Sequence, residues 1–313
     1  MSAASVGIVV ADEQVRVWEF VNAPAGCAQG VASIVGYRAL QTPNEVHRGM
    51  PSAKLTFIVS RDDGVRAAAS PEAVHAARPK PLLLGGLHVT AAHVQQQRGQ
   101  AGVQLAVHPL AARALFGVPT AELGSIDLDA TLVLGRRAME LHERVAEARD
   151  WPEAFAMIAA HLAEARRRRD GATVRPEIAW AWRLLERSRG RASVTAVAES
   201  VGMSSRHLTT MFRREVGRSP KTVAMLMRFE HATGRISESV RRHGRVDLAA
   251  VAAETGYSDQ AHLSREFTRF AGTPPRRWLG EEFRNIQDGG HALAPDCDHD
   301  WFQSDRVVDV AGP

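Results

Sequence analysis

Eight polar side chains in the C-terminal half of the chain are of types that hydrogen-bond to nucleotide bases and phosphates. They fall on two predicted helices, in each of which Leu and Phe four residues apart mark the inward side. The two outward sets are Arg206, Thr209, Thr210 and Arg213, and Gln260, His262, Ser264 and Arg265. Arg pairs with guanine, Gln pairs with adenine, and Thr contacts a base edge or a thymine methyl group. The alternative is an ordinary solvent-exposed helix face.

The two sets belong to two copies of one pattern, residues 197–220 and 251–275. In each copy an alanine-rich helical turn precedes a glycine, and a small polar residue then begins a second helix that ends at Gly and Pro. The matched positions are Gly202, Leu208, Phe212, Gly217 and Pro220 in the first copy, and Gly256, Leu263, Phe267, Gly272 and Pro274 in the second. One copy would fit a plain helical hairpin equally well. Two matched copies favour tandem helix-turn-helix units, whose second helices enter the major groove of DNA.

The repeat resembles the DNA-binding domain of AraC/XylS-type transcription regulators. The stretch GYSDQAHLSREFTRFAGTPPRRW is similar to the family signature, and KTVAMLMRFEHATGRISESV fits the long helix that joins the two units. The resemblance covers about residues 174–283. It implies that both outward sets contact double-stranded DNA, although Thr210 stands where relatives often carry Arg. It also implies an activator or repressor with an effector-binding or dimerising N-terminal domain, and it makes RNA polymerase, a small-molecule effector and a second copy of the chain candidate partners.

The distribution of charge agrees with a nucleic-acid partner. The net charge of the chain is +4, but residues 172–283 hold 19 Lys/Arg against 12 Asp/Glu, whereas residues 284–313 hold 2 against 6. A positive excess on the repeat is what neutralisation of phosphates requires. The 2 cysteines, Cys27 and Cys297, argue against a disulfide framework and a Cys-rich zinc module. With no signal peptide or membrane-length apolar run, the sequence predicts a cytoplasmic protein.

Residues 1–125 are predicted to be mostly β, which makes the expected fold class α+β. Short strands are predicted at residues 6–10, 15–21, 53–60, 87–94 and 103–107, and helices at 109–117, 130–148 and 152–166. The strands predict an antiparallel barrel or sandwich within residues 1–168, and the resemblance implies a cupin-like barrel followed by a helical pair. A linker at 169–175, the tandem helix-turn-helix domain at 176–283 and an acidic tail at 284–313 follow.

The N-terminal region carries five histidines that raise the question of a metal site: His47, His75, His88, His93 and His108. His88 and His93 would point to opposite faces of one strand, and no His-x-His pair or nearby Glu accompanies them. We therefore predict no metal site, no cofactor and no catalytic residue. Two alternatives stay open: an enzyme-like or metal-binding barrel fused to a DNA-binding module, and an effector-free repressor or architectural protein.

Overall fold

The N-terminal half of the chain forms two antiparallel sheets. The computed structural model describes residues 16–41, 46–124, 126–169 and 173–291. Its strands are β1 Trp18–Asn22, β2 Val31–Ala39, β3 Val46–Gly49, β4 Leu55–Ser60, β5 Ala67–Ala68, β6 Leu82–Gly85, β7 Ala92–Gln95, β8 Ala101–Val107 and β9 Leu128–Asp129. The larger sheet has the order β1-β2-β8-β4-β6-β9, and the smaller has the order β3-β7-β5.

The larger sheet is covered on both faces. Phe57 and Val59 of β4 point into the main core, while Ile58 points the other way, into a second cluster that includes Ala67 and Val94 of the smaller sheet. Because period-2 alternation places neighbouring residues on opposite faces, a strand covered on both sides needs a continuous apolar run, and the sequence LTFIVS provides one.

Twelve helices cover the main core and build the C-terminal half of the described chain. They are α1 Pro71–Val74, α2 Ala112–Phe116, α3 Thr131–Leu134, α4 Arg136–Ala146, α5 Trp151–Arg168, α6 Pro176–Arg187, α7 Val194–Ser200, α8 Ser205–Val216, α9 Pro220–His243, α10 Leu248–Thr255, α11 Gln260–Ala271 and α12 Pro275–Gln287. The β-rich N-terminal region and the helical C-terminal domain confirm the predicted α+β class. None of these helices combines the length and apolarity needed to cross a membrane.

The strand predicted at residues 87–94 is wrong over most of its length, since β7 begins only at Ala92. The chain at Gly86 passes so close to Leu123 that a Cβ atom there would lie 1.5 Å from the Leu123 carbonyl oxygen. The Leu87 carbonyl accepts a hydrogen bond from Arg218 Nε (2.7 Å), a residue of the helical domain. This segment therefore contacts a loop and the other domain instead of a neighbouring strand.

Several other strands and helices differ from the predicted ones in presence or in their bounds. Strands β2, β3, β5, β6 and β9 were not predicted, and Gly135, with φ of 68°, divides the predicted helix 130–148 into α3 and α4. The strand predicted at residues 6–10 lies outside the described residues. Helix α12 continues to Gln287, and Asp288 Oδ2 accepts hydrogen bonds from the Val17 and Trp18 amides at 2.8 and 3.0 Å. Residues 284–291 thus pack on the body of the protein, and 292–313 lie outside the described part of the chain.

The two halves share one apolar core. Trp182 of α6 is fully buried, its ring centroid lies 5.3 Å from that of His108 in the N-terminal half, and it stacks on Phe212 of α8 at 6.4 Å. Lys54 Nζ lies 2.7 Å from Glu186 Oε1 beside this contact. The sheet region and the helical domain are therefore packed against each other through apolar and charged side chains.

The turn before α7 provides a test of this packing. Gly190 has φ of 73°, and a Cβ atom there would lie 1.9 Å from the Ala224 carbonyl oxygen of α9, whereas Gly202 has φ of 66° and open space around it among the described residues. We expect Gly202→Ala to cost about 1–2 kcal/mol from left-handed backbone strain alone. Gly190→Ala combines this strain with the clash against the Ala224 carbonyl, so it should lower the free energy of unfolding in urea by about 2–5 kcal/mol. Equal costs for the two variants would contradict the close approach of the turn to α9.

Candidate nucleic-acid interface

The first helix-turn-helix unit consists of α7, a tight turn and α8. Gly202 takes the left-handed conformation that an L side chain resists, and the Met203 amide donates to the Ala198 carbonyl at 2.9 Å, which closes the end of α7. Ser204 then caps α8, because its hydroxyl oxygen accepts a hydrogen bond from the His207 amide at 3.2 Å. Glycine followed by a small polar cap therefore sets the angle between the two helices.

The second unit repeats this geometry with α10 and α11. Gly256 has φ of 82°, and the Tyr257 amide donates to the Ala252 carbonyl at 3.0 Å. Asp259 caps α11 by accepting from the His262 amide at 2.6 Å. The same backbone device occurs in both copies, so the repeated sequence pattern corresponds to a repeated structure.

Aromatic side chains pack α8 against α6 and α11 against α9. The Leu and Phe pairs predicted to face inward on α8 and α11 are all fully buried. Phe229, near the middle of α9, meets Phe267 edge to face at 5.3 Å and Phe270 at 4.9 Å between ring centroids. Buried aromatic pairs of this kind fix relative orientation as well as adding apolar contact. The opposite sides of α8 and α11 are exposed.

The outward set on α8 forms one continuous polar face. Arg206, Thr210 and Arg213 are exposed, and Thr209 is half-buried. The hydroxyls of Thr209 and Thr210 donate to carbonyls one turn earlier in the same helix, those of Ser205 (2.8 Å) and Arg206 (3.1 Å). Because their protons are used within the helix, the two threonines present methyl groups and acceptor lone pairs to a partner.

The outward set on α11 is less uniform. Gln260 and Arg265 are exposed, whereas His262 and Ser264 are half-buried. The His262 ring lies edge-on to Tyr257 at 5.2 Å, and its Nδ1 is 3.2 Å from the Ser258 hydroxyl. His262 is therefore held at the turn, while Gln260 and Arg265 lie on the exposed side of the helix.

Further exposed residues extend both faces beyond the predicted sets: His207 and Arg214 on α8, and Thr268 and Arg269 on α11. Arg214 follows Thr210 by four residues, and Arg269 follows Arg265 by four, so each pair shares one side of its helix. Helical spacing from the predicted residues is a signal that could have found them. The Arg269 guanidinium lies over the Phe270 ring at 4.7 Å, which limits its reach.

A buried polar network, which the sequence analysis missed, locks α11 to α9. The Tyr257 hydroxyl donates to Glu266 Oε1 at 2.8 Å, and Arg228 Nη2 of α9 donates to both Glu266 oxygens at 3.2 and 3.3 Å. The Arg228 guanidinium also lies 5.1 Å from the centre of the Tyr257 ring. Burial, together with the nearby carboxylate, raises the pKa of Tyr257 far above its usual range, so the phenol remains a donor. The first unit has Met203 at the position of Tyr257 and lacks this network.

The N-terminal histidines take different environments. Burial lowers the pKa of His88, whose Nδ1 lies 2.6 Å from the Thr90 carbonyl, and burial lowers that of His108 well below its usual range. Burial and then Arg48 lower the pKa of His93. His75 is exposed. His108 Nε2 lies 4.0 Å from Glu186 Oε2, and His47 contacts both the Glu282 carboxylate and the His291 ring, which come from the far end of the chain.

The network yields a stability prediction. Tyr257→Phe removes only the hydroxyl that donates to a buried carboxylate, so we expect a loss of about 1–3 kcal/mol in the free energy of unfolding. Thr210→Val is the control, because it removes an exposed hydroxyl with little change of shape and should alter stability by less than about 0.5 kcal/mol. Chemical denaturation of both variants measures the difference. A Tyr257→Phe protein as stable as the control would show that the network does not hold α11.

Comparison with known proteins finds a matching domain family and several similar solved structures. The profile of the helix-turn-helix domain family matches residues 197–281. Among solved structures, the chain is similar to the C-terminal domain of AraT, a response regulator from Geobacillus stearothermophilus, with 22% identity over 34% of this chain and 86% of that one, at a TM-score of 0.30. It is also similar to ToxT from Vibrio cholerae O395, with 10% identity over 78% and 93% of the two chains (TM-score 0.42).

Another similar structure is unsaturated fatty acid-bound ToxT from Vibrio cholerae strain SCE256, with 9% identity over 86% of this chain and 97% of that one, at a TM-score of 0.43. No curated protein sequence matches the chain. The profile match coincides with the two units described above and supports a DNA-binding transcription regulator. Residues 197–281 therefore form a tandem helix-turn-helix domain of the AraC type.

Proposed function

We propose that this protein regulates transcription by binding specific DNA sequences, with α8 and α11 inserted into successive segments of the major groove. The observation that carries the proposal is that one continuous helix, α9, joins two helix-turn-helix units of the same geometry. Its 24 residues give a length of about 36 Å at 1.5 Å per residue. One turn of B-DNA is about 34–36 Å long, and a continuous connecting helix of comparable length favours binding of the two units to consecutive major-groove segments.

The roles of individual residues follow from exposure and donor chemistry. Arg265 and Gln260 on α11 are suited to bidentate contacts with guanine and adenine, respectively. On α8, Arg206 and Arg213 supply charge for phosphate or guanine, and the Thr210 methyl group suits thymine. Because their protons are used within the helix, Thr209 and Thr210 offer bases only acceptors and methyl groups, whereas Gln260 and Arg265 on α11 both offer donors. We infer that α11 contributes more of the sequence specificity.

The N-terminal region is positioned to influence the first unit. Arg113 makes a bidentate ion pair with Glu215 near the end of α8, at 2.7 and 2.9 Å. At Gly217, just after α8, a Cβ atom would lie 3.0 Å from Ala121 Cα. These contacts hold the end of α8 and leave its outward face open. A change in the N-terminal region could therefore reorient α8 without covering its DNA-contacting residues.

A candidate effector site lies in the N-terminal region. A cavity of about 640 Å³ between residues 27–29 and α5 is lined by the apolar side chains Leu162 and Ala163 and by the basic side chains Arg166 and Arg167. Its size is within the range of small-molecule sites. An apolar wall next to two guanidinium groups suits an amphipathic anion. Binding there would act on the end of α5, directly before the connection to the DNA-binding domain, and so shift its orientation.

Selection of binding sites from random duplex DNA tests the proposal. We expect an enriched site with two elements about 10 base pairs apart. Arg265→Ala should weaken binding by about 1–3 kcal/mol and relax the preference at one base pair, because a bidentate contact to one base is lost. Comparing sites selected by the wild type and the variant at one salt concentration isolates this effect.

Arg98→Ala is the matched control, since it removes one exposed arginine from the N-terminal region. It should leave the preferred site unchanged. Weak, sequence-independent binding that responds equally to both substitutions would show that the tandem units act only as a positively charged surface.

The ion pair between the two halves gives a separate test. A double-mutant cycle of Arg113→Ala and Glu215→Ala should give a coupling energy of about 1 kcal/mol in unfolding experiments, because the pair is bidentate and partly buried. Each variant should also change affinity for the selected DNA site more than Arg136→Ala does, which removes a largely exposed pair within α4. Zero coupling, with unaltered DNA affinity, would mean that the N-terminal region does not position α8.

A further inference from the structure

We propose that His47, Glu282 and His291 bind one divalent transition-metal ion of the zinc type, which ties the N-terminal sheets to the last helix of the DNA-binding domain. Histidine composition and spacing alone led us to predict no metal site, because two of these ligands lie at the opposite end of the chain from His47. The inference goes beyond the proposed function and does not depend on DNA binding.

The three side chains converge from three separate elements. His47 lies on β3, Glu282 on α12, and His291 in the turn after α12. His47 Nδ1 is 3.1 Å from Glu282 Oε1, and His291 Nε2 is 3.5 Å from Glu282 Oε2. One ligand atom from each residue lies within 4.8 Å of the others. Metal–ligand bonds of 2.0–2.2 Å place tetrahedral ligands roughly 3.4 Å apart, so small side-chain movements would complete the site.

The ligand types suit zinc. Two imidazoles and one carboxylate form a recurring set of three protein ligands for this ion, with a fourth position for water or another ligand. Imidazole also suits other late transition metals, whereas Mg²⁺ and Ca²⁺ prefer sites made only of oxygen.

The surroundings provide support for the ligands and a route for the ion. Asn285 Nδ2 donates to Glu282 Oε2 at 2.7 Å, and the Trp278 ring lies edge-on to His291 at 5.3 Å. Such contacts with ligand side chains fix their orientation. A cavity of about 160 Å³ borders His47, Glu282 and Asn285 and opens to solvent. Arg48, the residue after His47, forms an ion pair with Glu281 at 3.2 Å.

The position of the site gives the ion a structural consequence. Residues 47 and 282 belong to different halves of the molecule and lie 235 positions apart in the chain. A ligand that binds only when both halves are docked stabilises the docked arrangement by mass action. The ion would therefore act as a clamp between the sheets and α12, on the side of the DNA-binding domain that carries the second helix-turn-helix unit.

The test is titration of the metal-free, full-length protein with Zn²⁺. Binding is measured by calorimetry and by competition with a chromogenic chelator. We expect one ion per chain. His47→Ala and His291→Gln should each weaken binding by roughly 100-fold or more, since loss of a group that only hydrogen-bonds to a metal ligand already costs about 10–100-fold. His75→Ala, which removes an exposed histidine from the same half, should bind as the wild type does. Zn²⁺ should raise the Tm of the wild type and of His75→Ala but not of the two ligand variants.

Circular dichroism of the unligated variants checks that they fold, and His291→Gln keeps a polar side chain of similar size in case His47→Ala does not. Absence of stoichiometric binding, or equal affinity in the wild type and in both ligand variants, overturns the proposal. In that case the three residues form only a histidine–carboxylate ion-pair cluster. Because no DNA is present, this failure is distinct from failure of site selection, which would contradict the proposed regulator itself.

Discussion

Burial of the apolar side of α9 is the constraint on which the C-terminal domain depends. Half of its 24 residues are buried, and they lie on the sides of the helix that meet α6, α8, α10 and α12. Phe229 at the middle of the helix contacts Phe267 and Phe270 of the second unit. Since each helix-turn-helix unit is too small to bury a core alone, both depend on this shared helix. Their separation is then a property of one rigid element.

The DNA-binding half could be predicted in detail because its determinants are local. A glycine in the left-handed conformation, a polar cap and Leu and Phe four residues apart are all contained within about 15 residues, and they occur twice. The N-terminal sheets were predicted less well. Strand β2, with the sequence VASIVGYRA, lacks a clear alternation, and the segment after Gly86 is apolar because it packs against a loop. Tertiary contacts decide the conformation there.

The candidate site residues show the same difference between local and tertiary determinants. The outward residues of α8 and α11 follow from helical periodicity, so exposure agrees with prediction for most of them. The Tyr257–Glu266–Arg228 network and the His47–Glu282–His291 cluster join residues far apart in the chain, and no spacing rule reveals them. Ion pairs within the C-terminal domain also reduce the positive charge that is available for binding phosphates. Arg228, Arg235 and Arg242 have carboxylate partners within the domain, so fewer positive charges are available to phosphates than the composition suggests.

Trp182 has a consequence for how such a chain can diverge. Its ring lies between His108 of the N-terminal region and Phe212 of the first helix-turn-helix unit, so one side chain belongs to the interiors of both. A gene fusion that joined this DNA-binding domain to an unrelated sensor would expose that indole and leave a gap beside α8. Exchange of modules by recombination is therefore penalised, and substitutions at His108, Trp182 and Phe212 are expected to accumulate together.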